Sequence, residues 1–388
     1  MKFLPRPSMP RILCFRIELL PLSETFIASQ AGALRRFEPV FAGLRRVPSG
    51  LPLDAFRVTA LTEGNTLMDR LKRRAWLHSG FSPAFERTLR GSRPVLLHAH
   101  FAVDAAIALP LCRRLGLPLV VTLHGYDVTR SDEALRCSAP GRIFLHRRQR
   151  LFEQASLFLC VSDHIRQRAI ERGFPAERLL THRIGVDLSL FSPGPSADRE
   201  PVVLFVGRLV EKKGCAHLIE AMAQVQCARP EARLVLIGDG PLRVPLEAQA
   251  RQSLRNVVFL GSQPAEEVRA WMRRARLLAA PSIVAADGDS EGLPVVLCEA
   301  QAMGLPVVGY RGPGVSEAVE NDETGLLVEP GNPQALAAAI GTFLRDAALA
   351  SMIGHAGRRR AERFFDLQAQ TAILEETYAA LSEGGAPQ

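Results

Sequence analysis

Short apolar runs alternate along the whole chain with longer segments in which apolar residues recur every three or four positions. The first pattern is typical of strands buried on both faces of a parallel sheet, and the second of amphipathic helices. In the first half the pattern predicts strands at 11–17, 39–43, 56–61, 95–98, 118–123 and 157–161, and helices at 24–37, 67–90, 102–115 and 142–154. A further helix should follow, with Ser162 or Asp163 as its N-cap.

The same alternation restarts after residues 191–200, which have the Pro and Gly content of a turn-rich linker. It predicts strands at 202–206, 233–237, 257–260, 277–280, 306–309 and 325–328, and helices at 216–225 and 364–381. A chain of 388 residues exceeds the usual size of one hydrophobic core. We therefore expect two doubly wound α/β domains facing a cleft, with ligands at the carboxyl ends of the strands.

The predicted boundaries are 1–190 for the first domain, 191–200 for the linker and 201–365 for the second domain. A C-terminal helix in 366–388 should pack back on the first domain. Residues 1–195 hold 29 Lys+Arg and 16 Asp+Glu (29 − 16 = +13), whereas 196–388 hold 19 and 24 (19 − 24 = −5). The arginines are not interleaved with aromatic residues and no nucleic-acid-binding motif occurs, so the basic half indicates an anionic membrane surface rather than nucleic acid.

Residues 67–76 give this membrane hypothesis a specific element. A helix here places Leu67, Leu71 and Ala75 on one stripe with Trp76 beside it, and basic residues occupy much of the rest. Helices that lie in a membrane interface have this composition. The alternative is an ordinary core-facing helix with a solvated basic face.

Other sequence features indicate where the protein works. No apolar run approaches the length of a transmembrane helix, and the prolines and charges in residues 1–20 do not fit a signal peptide. The seven cysteines form no C-x-x-C pair, as expected for buried thiols in a reducing compartment. We expect a cytoplasmic protein, peripheral on the inner face of the cytoplasmic membrane.

Two glutamates eight residues apart form the first candidate site, in Asp-Ser-Glu-Gly-Leu-Pro-Val-Val-Leu-Cys-Glu. Gly292 lets a ligand approach the backbone, and Pro294 suits the first turn of a helix. Glu291 should then lie at the helix N-terminus and Glu299 about two turns further in. Two acids around exposed N–H groups suit a polyhydroxylated, phosphate-bearing ligand such as a nucleotide sugar. The alternative is a solvated helix face.

A second candidate site follows the strand at 202–206. Arg208 leaves the strand end and Lys213 stands near the next helix start, so two cations and a helix N-terminus could hold a pyrophosphate. The alternative is a surface loop with two solvated basic residues. The segment is not a P-loop, and no G-x-G-x-x-G follows the first strand, which disfavours a nicotinamide enzyme.

Together, residues 207–214 and 290–300 resemble the donor site of retaining glycosyltransferases of family 4, which have the GT-B fold. Residues 236–241, 257–261, 314–317 and 321–328 resemble further signatures of this family, and 97–102 and 122–127 resemble its histidine-bearing strand ends. Many members carry a Gly-Gly loop after the first strand. Here Pro-Leu-Ser-Glu-Thr-Phe stands in its place and resembles the branch that builds bacterial exopolysaccharides of the colanic-acid type.

The resemblance implies that the first domain binds the acceptor and the second the donor. It implies that Arg208 and Lys213 bind the donor diphosphate, that Glu299 accepts from ribose hydroxyls, and that Glu291 lies near the transferred sugar. His124 would lie across the cleft, near the reacting sugar; otherwise it is a structural histidine. The implied catalytic residues are His124, Glu291, Arg208 and Lys213; donor contacts also involve Gly240, Leu260, Gly292, Leu293 and Glu299; first-loop and acceptor contacts involve Ser23, Glu24, Thr25, His100 and Asp127.

Asp127 has an alternative role, which is to cap or orient a loop. The implied reaction is transfer of a hexose, with retention, from a UDP- or GDP-sugar to a lipid-linked or oligosaccharide acceptor. The leaving phosphate would take the acceptor proton, and neither a metal nor another cofactor is expected. Two alternatives stay open: a sugar-nucleotide epimerase or phosphorylase on the same fold, and a non-catalytic nucleotide-sugar-binding protein.

Overall fold

Two compact units make up the chain in the computed structural model, which describes residues 9–48, 50–194 and 199–384. The first unit comprises the described parts of Met1–Gly185 and Leu367–Gln388, and the second those of Val186–Asp366. Residues 195–198 of the predicted linker 191–200 lie outside the described residues.

The first unit is built on a seven-stranded parallel sheet with helices between its strands. Its strands are β1 (Arg11–Leu19), β2 (Glu38–Arg46), β3 (Arg57–Thr62), β4 (Pro94–His100), β5 (Leu119–Leu123), β6 (Leu157–Cys160) and β7 (Leu179–Thr181). Its first eight helices are α1 (Thr25–Ala33), α2 (Leu67–Ser79), α3 (Pro83–Gly91), α4 (Ala102–Leu115), α5 (Tyr126–Thr129), α6 (Asp132–Arg136), α7 (Ala139–Gln154) and α8 (Asp163–Glu171).

The sheet order in this unit is β3-β2-β1-β4-β5-β6-β7, so the direction of winding changes between β1 and β4. All five residues of β5 are buried, as the continuous apolar run predicted. In sheets of this kind, functional side chains gather where the winding reverses, at the carboxyl ends of the strands. We therefore expect a functional site in this unit to be formed by the segments that follow β1, β4 and β5.

The second unit has a six-stranded parallel sheet in the order β10-β9-β8-β11-β12-β13. Its strands are β8 (Glu200–Val206), β9 (Arg233–Ile237), β10 (Val257–Gly261), β11 (Ala275–Ala280), β12 (Val307–Tyr310) and β13 (Gly325–Val328). Its helices are α9 (Cys215–Ala228), α10 (Arg243–Ser253), α11 (Ala265–Arg274), α12 (Val295–Ala302), α13 (Val315–Ala318), α14 (Pro333–Arg345) and α15 (Ala347–Phe364). Two parallel, helix-connected sheets confirm the predicted fold class.

The last helix, α16 (Leu367–Ser382), belongs to the first unit. Its Glu375 accepts hydrogen bonds from the backbone N–H groups of Arg35 and Arg36, at 2.8 and 2.6 Å. Its Tyr378 is buried and its hydroxyl is hydrogen-bonded to Nδ1 of His98 on β4. The C-terminal helix thus completes the core around the central strands of the first sheet.

Three predicted helices were wrong in extent. The helix predicted at 67–90 is two helices, because Gly80 adopts a left-handed conformation (φ 66°) that ends α2, and Pro83 then begins α3. The helix predicted at 24–37 runs only from Thr25 to Ala33. The tail predicted at 364–381 is the end of α15 followed by α16.

Among the described residues, no single helix is long and apolar enough to cross a membrane. The pair Pro333–Arg345 and Ala347–Phe364 passes the same test of length and composition only when taken together, and it is bent by 101°.

Candidate active site

Two glycine-containing turns hold Arg208 at the carboxyl end of β8. The loop after β8 is hydrogen-bonded to the turn after β9, since Leu209 N–H donates to the Asp239 carbonyl at 2.9 Å. The approach is so close that a Cβ on Gly240 would lie 2.5 Å from the Leu209 carbonyl oxygen. A side chain at this position would therefore separate the two loops. Arg208 itself is exposed, and within the described ranges its guanidinium has no hydrogen bond or ion pair.

Lys213 lies at the end of a short 3₁₀ turn and reaches the first of the two glutamates. Its Nζ is 2.6 Å from Oε1 of Glu291, and the hydroxyl of Ser282 donates to the same oxygen at 3.0 Å. Gly214 (φ 62°) makes this approach possible, because a Cβ there would lie 1.9 Å from the Pro281 carbonyl oxygen. A second pair lies alongside, between Lys212 Nζ and Asp289 Oδ1 at 3.0 Å.

Glu291 is a buried carboxylate that stays charged. Burial by itself raises its pKa, but the positive charges of Lys213 and Lys212 and the hydrogen bonds from Lys213 and Ser282 outweigh burial. The net pKa is therefore lowered below the ordinary value. The result is a fixed anion beside a fixed cation at the carboxyl end of β11.

Glu299 lies one turn into α12 rather than two turns from the helix start, which corrects the sequence prediction. The helix begins at Val295 with Pro294 as its N-cap, because Glu291 to Pro294 are not helical. Burial raises the pKa of Glu299 to about 7, although the charge of Arg269 acts in the opposite direction. Across the described residues its carboxylate has no hydrogen-bond partner. Glu299 is half-buried, so its carboxylate can accept hydrogen bonds from a ligand.

The remaining predicted donor residues lie on the same edge of the second sheet. Leu260 is next to last in β10 and is half-buried, and its carbonyl accepts from Gln263 Nε2 at 2.6 Å. Gly292 and Leu293 are buried in the segment that leads into α12. The structure therefore brings all the predicted donor residues to the carboxyl ends of β8 to β11.

A stack of histidines occupies the corresponding edge of the first unit. His98 and His100 point to the same side of β4, and their ring centroids are 4.4 Å apart. His124 follows β5; its Nε2 is 3.1 Å from Nδ1 of His100. Nδ1 of His124 is buried and has no partner in the described part of the chain. It is the one nitrogen of this histidine pair that is both buried and unsatisfied there.

These histidines are neutral. Burial lowers the pKa of His98 to about 3, and it lowers the pKa values of His100 and His124 well below the ordinary value. The neighbouring histidines and Arg16 lower them further. Rings with such pKa values are weak bases, so they are suited to donate or accept hydrogen bonds rather than to remove a proton.

Asp127 performs the capping role that the sequence left open. Its carboxylate accepts from the backbone N–H of Ala102 at 2.9 Å and of Gly125 at 3.0 Å, at the starts of α4 and α5. Burial raises its pKa. Its contact with an acceptor stays a prediction.

The predicted first loop divides into exposed and buried positions. Ser23 is exposed and Thr25 is half-buried, but Glu24 is buried and paired with Arg16, which also binds Asp104. Sequence reasoning missed Arg16 and Asp104. The available signal was a charge in an otherwise apolar segment, Arg-Ile-Leu-Cys-Phe-Arg for β1 and Ala-Val-Asp-Ala-Ala-Ile-Ala-Leu for α4.

No group of three or more His, Cys, Asp or Glu in the described residues is arranged to hold a metal ion. The expectation that the reaction needs no metal stays a prediction.

Comparison with known proteins supports the predicted glycosyltransferase family. The family model "Glycosyltransferase Family 4" matches residues 27–190, and "Glycosyl transferases group 1" matches residues 189–360. WcaL of Escherichia coli K12, described as a colanic acid biosynthesis glycosyltransferase, is 35% identical over 292 residues, which are 73% of this chain and 70% of that protein.

A second relative is the GDP-mannose-dependent alpha-(1-6)-phosphatidylinositol monomannoside mannosyltransferase of Mycolicibacterium smegmatis. It is 32% identical over 300 residues, which are 73% of this chain and 76% of that protein. Among solved structures, Anabaena HepE in complex with UDP and glucose has a TM-score of 0.75 and 21% identity, with 96% of this chain and 100% of that chain covered. This likeness shows the fold, and the GT-B class is confirmed.

The raised pKa of Glu299 predicts a specific pH dependence of stability. Between the ordinary value of 4.5 and about 7 the folded chain binds a proton that the unfolded chain releases, so Glu299 makes the folded state less stable as pH rises. Between pH 5 and pH 8 the unfolding free energy of the second unit should decline less in Glu299→Gln than in the wild type. The difference between the two declines should be about 1–3 kcal/mol. Urea unfolding measures this.

Glu267→Gln, an exposed position on α11, is the matched control and should keep the wild-type pH dependence. Equal pH dependence in Glu299→Gln and the wild type would contradict the raised pKa.

Proposed function

This chain belongs to family 4 of the glycosyltransferases, and from that premise we propose that it is a retaining transferase of bacterial exopolysaccharide synthesis. It moves a hexose from a UDP- or GDP-sugar to a lipid-linked or oligosaccharide acceptor. The second unit binds the donor and the first unit the acceptor. The observation that carries the proposal is the Lys213–Glu291 pair on the same loop as Arg208, whose guanidinium has no partner among the described residues.

The donor diphosphate is bound by Arg208 and Lys213. Both cations follow the end of β8. The guanidinium of Arg208, which no described residue pairs with, can form a bidentate contact with phosphate oxygens. The first-turn N–H groups of α12 add donors of the kind that bind anions at helix N-termini. When the bond to the sugar breaks, these groups stabilise the negative charge that develops on the leaving nucleoside diphosphate.

Two acids with opposite pKa shifts have different roles. Glu299 accepts hydrogen bonds from the ribose hydroxyls, which give its carboxylate partners that the described residues do not supply and favour its charged form. Glu291 is already charged and held by Lys213, and with the backbone of Gly292 and Leu293 it lies near the transferred sugar. Its charge beside the reacting carbon stabilises an ion-pair-like transition state.

His124 orients the reacting groups and does not act as the base. Its lowered pKa makes it a poor proton acceptor. Its Nδ1, which no described residue bonds, is suited to a hydroxyl of the sugar or of the acceptor. In a front-side reaction with retention, the acceptor proton passes to the leaving phosphate. A neutral imidazole at this position fits that route.

The similarity to the E. coli colanic acid protein supports exopolysaccharide synthesis as the pathway. Both UDP and GDP stay candidates for the donor nucleotide, because one relative is GDP-mannose-dependent whereas the structural neighbour was solved with UDP.

An anionic membrane surface is the proposed location of the acceptor, and α2 is the proposed contact. Leu67, Met68 and Leu71 are 72%, 60% and 50% exposed. Trp76, which was expected beside this stripe, is instead buried on the opposite side of the helix. Helical spacing places these apolar residues between the basic Arg70 and Arg74 on one flank and Lys72 on the other. The helix is therefore anchored in the core by Trp76 and presents an apolar stripe bordered by cations, as interfacial helices do.

Release of nucleoside diphosphate from UDP-, GDP- and ADP-sugars, with and without membrane lipid extract, tests the donor site. The wild type should turn over one donor, faster with lipid, and Arg208→Met should lower kcat about 100-fold because a charge-stabilising group is lost. Arg255→Met, an exposed arginine just before β10, is the control and should keep wild-type activity.

Near-normal turnover in Arg208→Met would overturn the donor-site assignment. Conversion of the donor to its epimer without an acceptor would instead identify an epimerase, and binding of a nucleotide without turnover would identify a non-catalytic binding protein.

Sedimentation with vesicles of phosphatidylethanolamine and phosphatidylglycerol tests the membrane surface. Leu67→Gln and Leu71→Gln together should weaken binding at least about tenfold, because each leucine contributes apolar area to the bilayer. Binding should also weaken as salt rises. Met352→Gln, an equally exposed apolar residue of the second unit, is the control. Wild-type binding by the double variant would contradict the role of α2.

A further inference from the structure

Arg16 is a buried cation among the candidate site residues at the carboxyl ends of the first unit's strands. It lies on β1 and is only 7% exposed. Its Nε donates to Glu24 Oε2 at 2.9 Å and its Nη1 donates to the carbonyl of His100 at 3.3 Å. Nη1 also donates to Asp104 on α4, whose Oδ2 accepts from the backbone N–H of Ile17 at 2.7 Å. One guanidinium therefore joins the first loop, the end of β4 and the start of α4.

The same guanidinium reaches His124 through an aromatic ring. Cζ of Arg16 lies 4.4 Å from the ring centroid of Phe101, and the ring centroids of Phe101 and His124 are 4.6 Å apart. Phe101 has φ 74°, a left-handed conformation that a residue with a Cβ adopts at an energetic cost. Strain of this kind persists only where surrounding contacts impose it, and it occurs often at functional sites.

Stability alone is a weak reason for this cluster. Removing two carboxylates and a guanidinium from water is costly, and buried ion pairs can often be replaced by apolar residues without loss of stability. The cluster also carries no surface role, since Arg16, Glu24 and Asp104 are all buried. Its geometry fixes the first loop, the end of β4 and the start of α4 in relation to one another.

We propose that Arg16 is a positioning residue of the transfer reaction, which holds the first loop through Glu24 and the ring of His124 through Phe101. Asp104 fixes the guanidinium in turn. This inference rests on the proposed function, because it assigns His124 and the first loop to the reaction. It leaves donor binding to the second unit, so loss of Arg16 should affect kcat far more than the KM for the donor.

Arg16→Lys is the test, because lysine keeps the charge but cannot bond Glu24, Asp104 and the His100 carbonyl together as the planar guanidinium does. The kcat for transfer should fall about 100-fold, the loss expected when reacting groups are misplaced by about 1 Å. The KM for the donor should stay unchanged. Arg11→Lys is the matched control: Arg11 lies on the same strand and pairs with Glu38 at 2.8 Å, and this variant should keep the wild-type kcat.

A second readout does not need turnover. The ¹⁵N resonances of the His124 ring report its tautomer and surroundings, and they should change in Arg16→Lys but not in Arg11→Lys. A wild-type kcat in Arg16→Lys, or unchanged His124 resonances, would overturn the proposal. So would equal losses of kcat, donor binding and thermal stability, because these would show a structural role only.

The two readouts separate this inference from the proposed function. If the wild type transfers no sugar from any donor, the proposed function fails, and the His124 resonances alone decide on Arg16. If the wild type is active and Arg16→Lys is equally active, only the positioning role fails.

Discussion

The pairing of Glu291 with Lys213 keeps a buried carboxylate charged in the second unit. The pair is possible only because glycine at 214 lets the turn that carries Lys213 pack against the end of β11. It brings together two segments that are 78 residues apart and fixes a positive and a negative charge side by side (291 − 213 = 78). The chemistry proposed for the donor depends on this juxtaposition.

The two units accommodate their buried polar groups in different ways. In the second unit, ionised groups are retained because opposite charges lower the pKa of Glu291. In the first unit, burial keeps His100 and His124 neutral, and their rings are in contact. Nδ1 of His124 has no hydrogen-bond partner among the described residues. One edge is thus suited to a highly charged diphosphate, and the other to the hydroxyls of a sugar.

Much of the fold, and the grouping of the candidate donor residues at strand ends, could be predicted from the sequence because the signals are local. Apolar runs mark the strands, and Arg208, Lys213, Glu291 and Glu299 lie in short segments that follow strand ends. What could not be predicted depends on partners far along the chain. Arg16 pairs with Asp104 across 88 residues, and no local pattern specifies that contact.

The errors in local structure have a similar cause. Helical spacing of apolar residues continues across Gly80, so periodicity alone does not show that the helix ends there. Pro294 is compatible both with the first turn of a helix and with the position before it. In the structure residues 291–294 are not helical, and Pro294 is the N-cap. In both cases the backbone conformation was set by a residue type that permits more than one outcome.

The most direct test of the central claim is a crystal structure of this chain with a bound nucleoside diphosphate. The account predicts diphosphate oxygens in contact with Arg208 and Lys213, ribose hydroxyls hydrogen-bonded to Glu299, and the base near Leu260. A nucleotide bound elsewhere on the chain, or a diphosphate that touches neither cation, would contradict it.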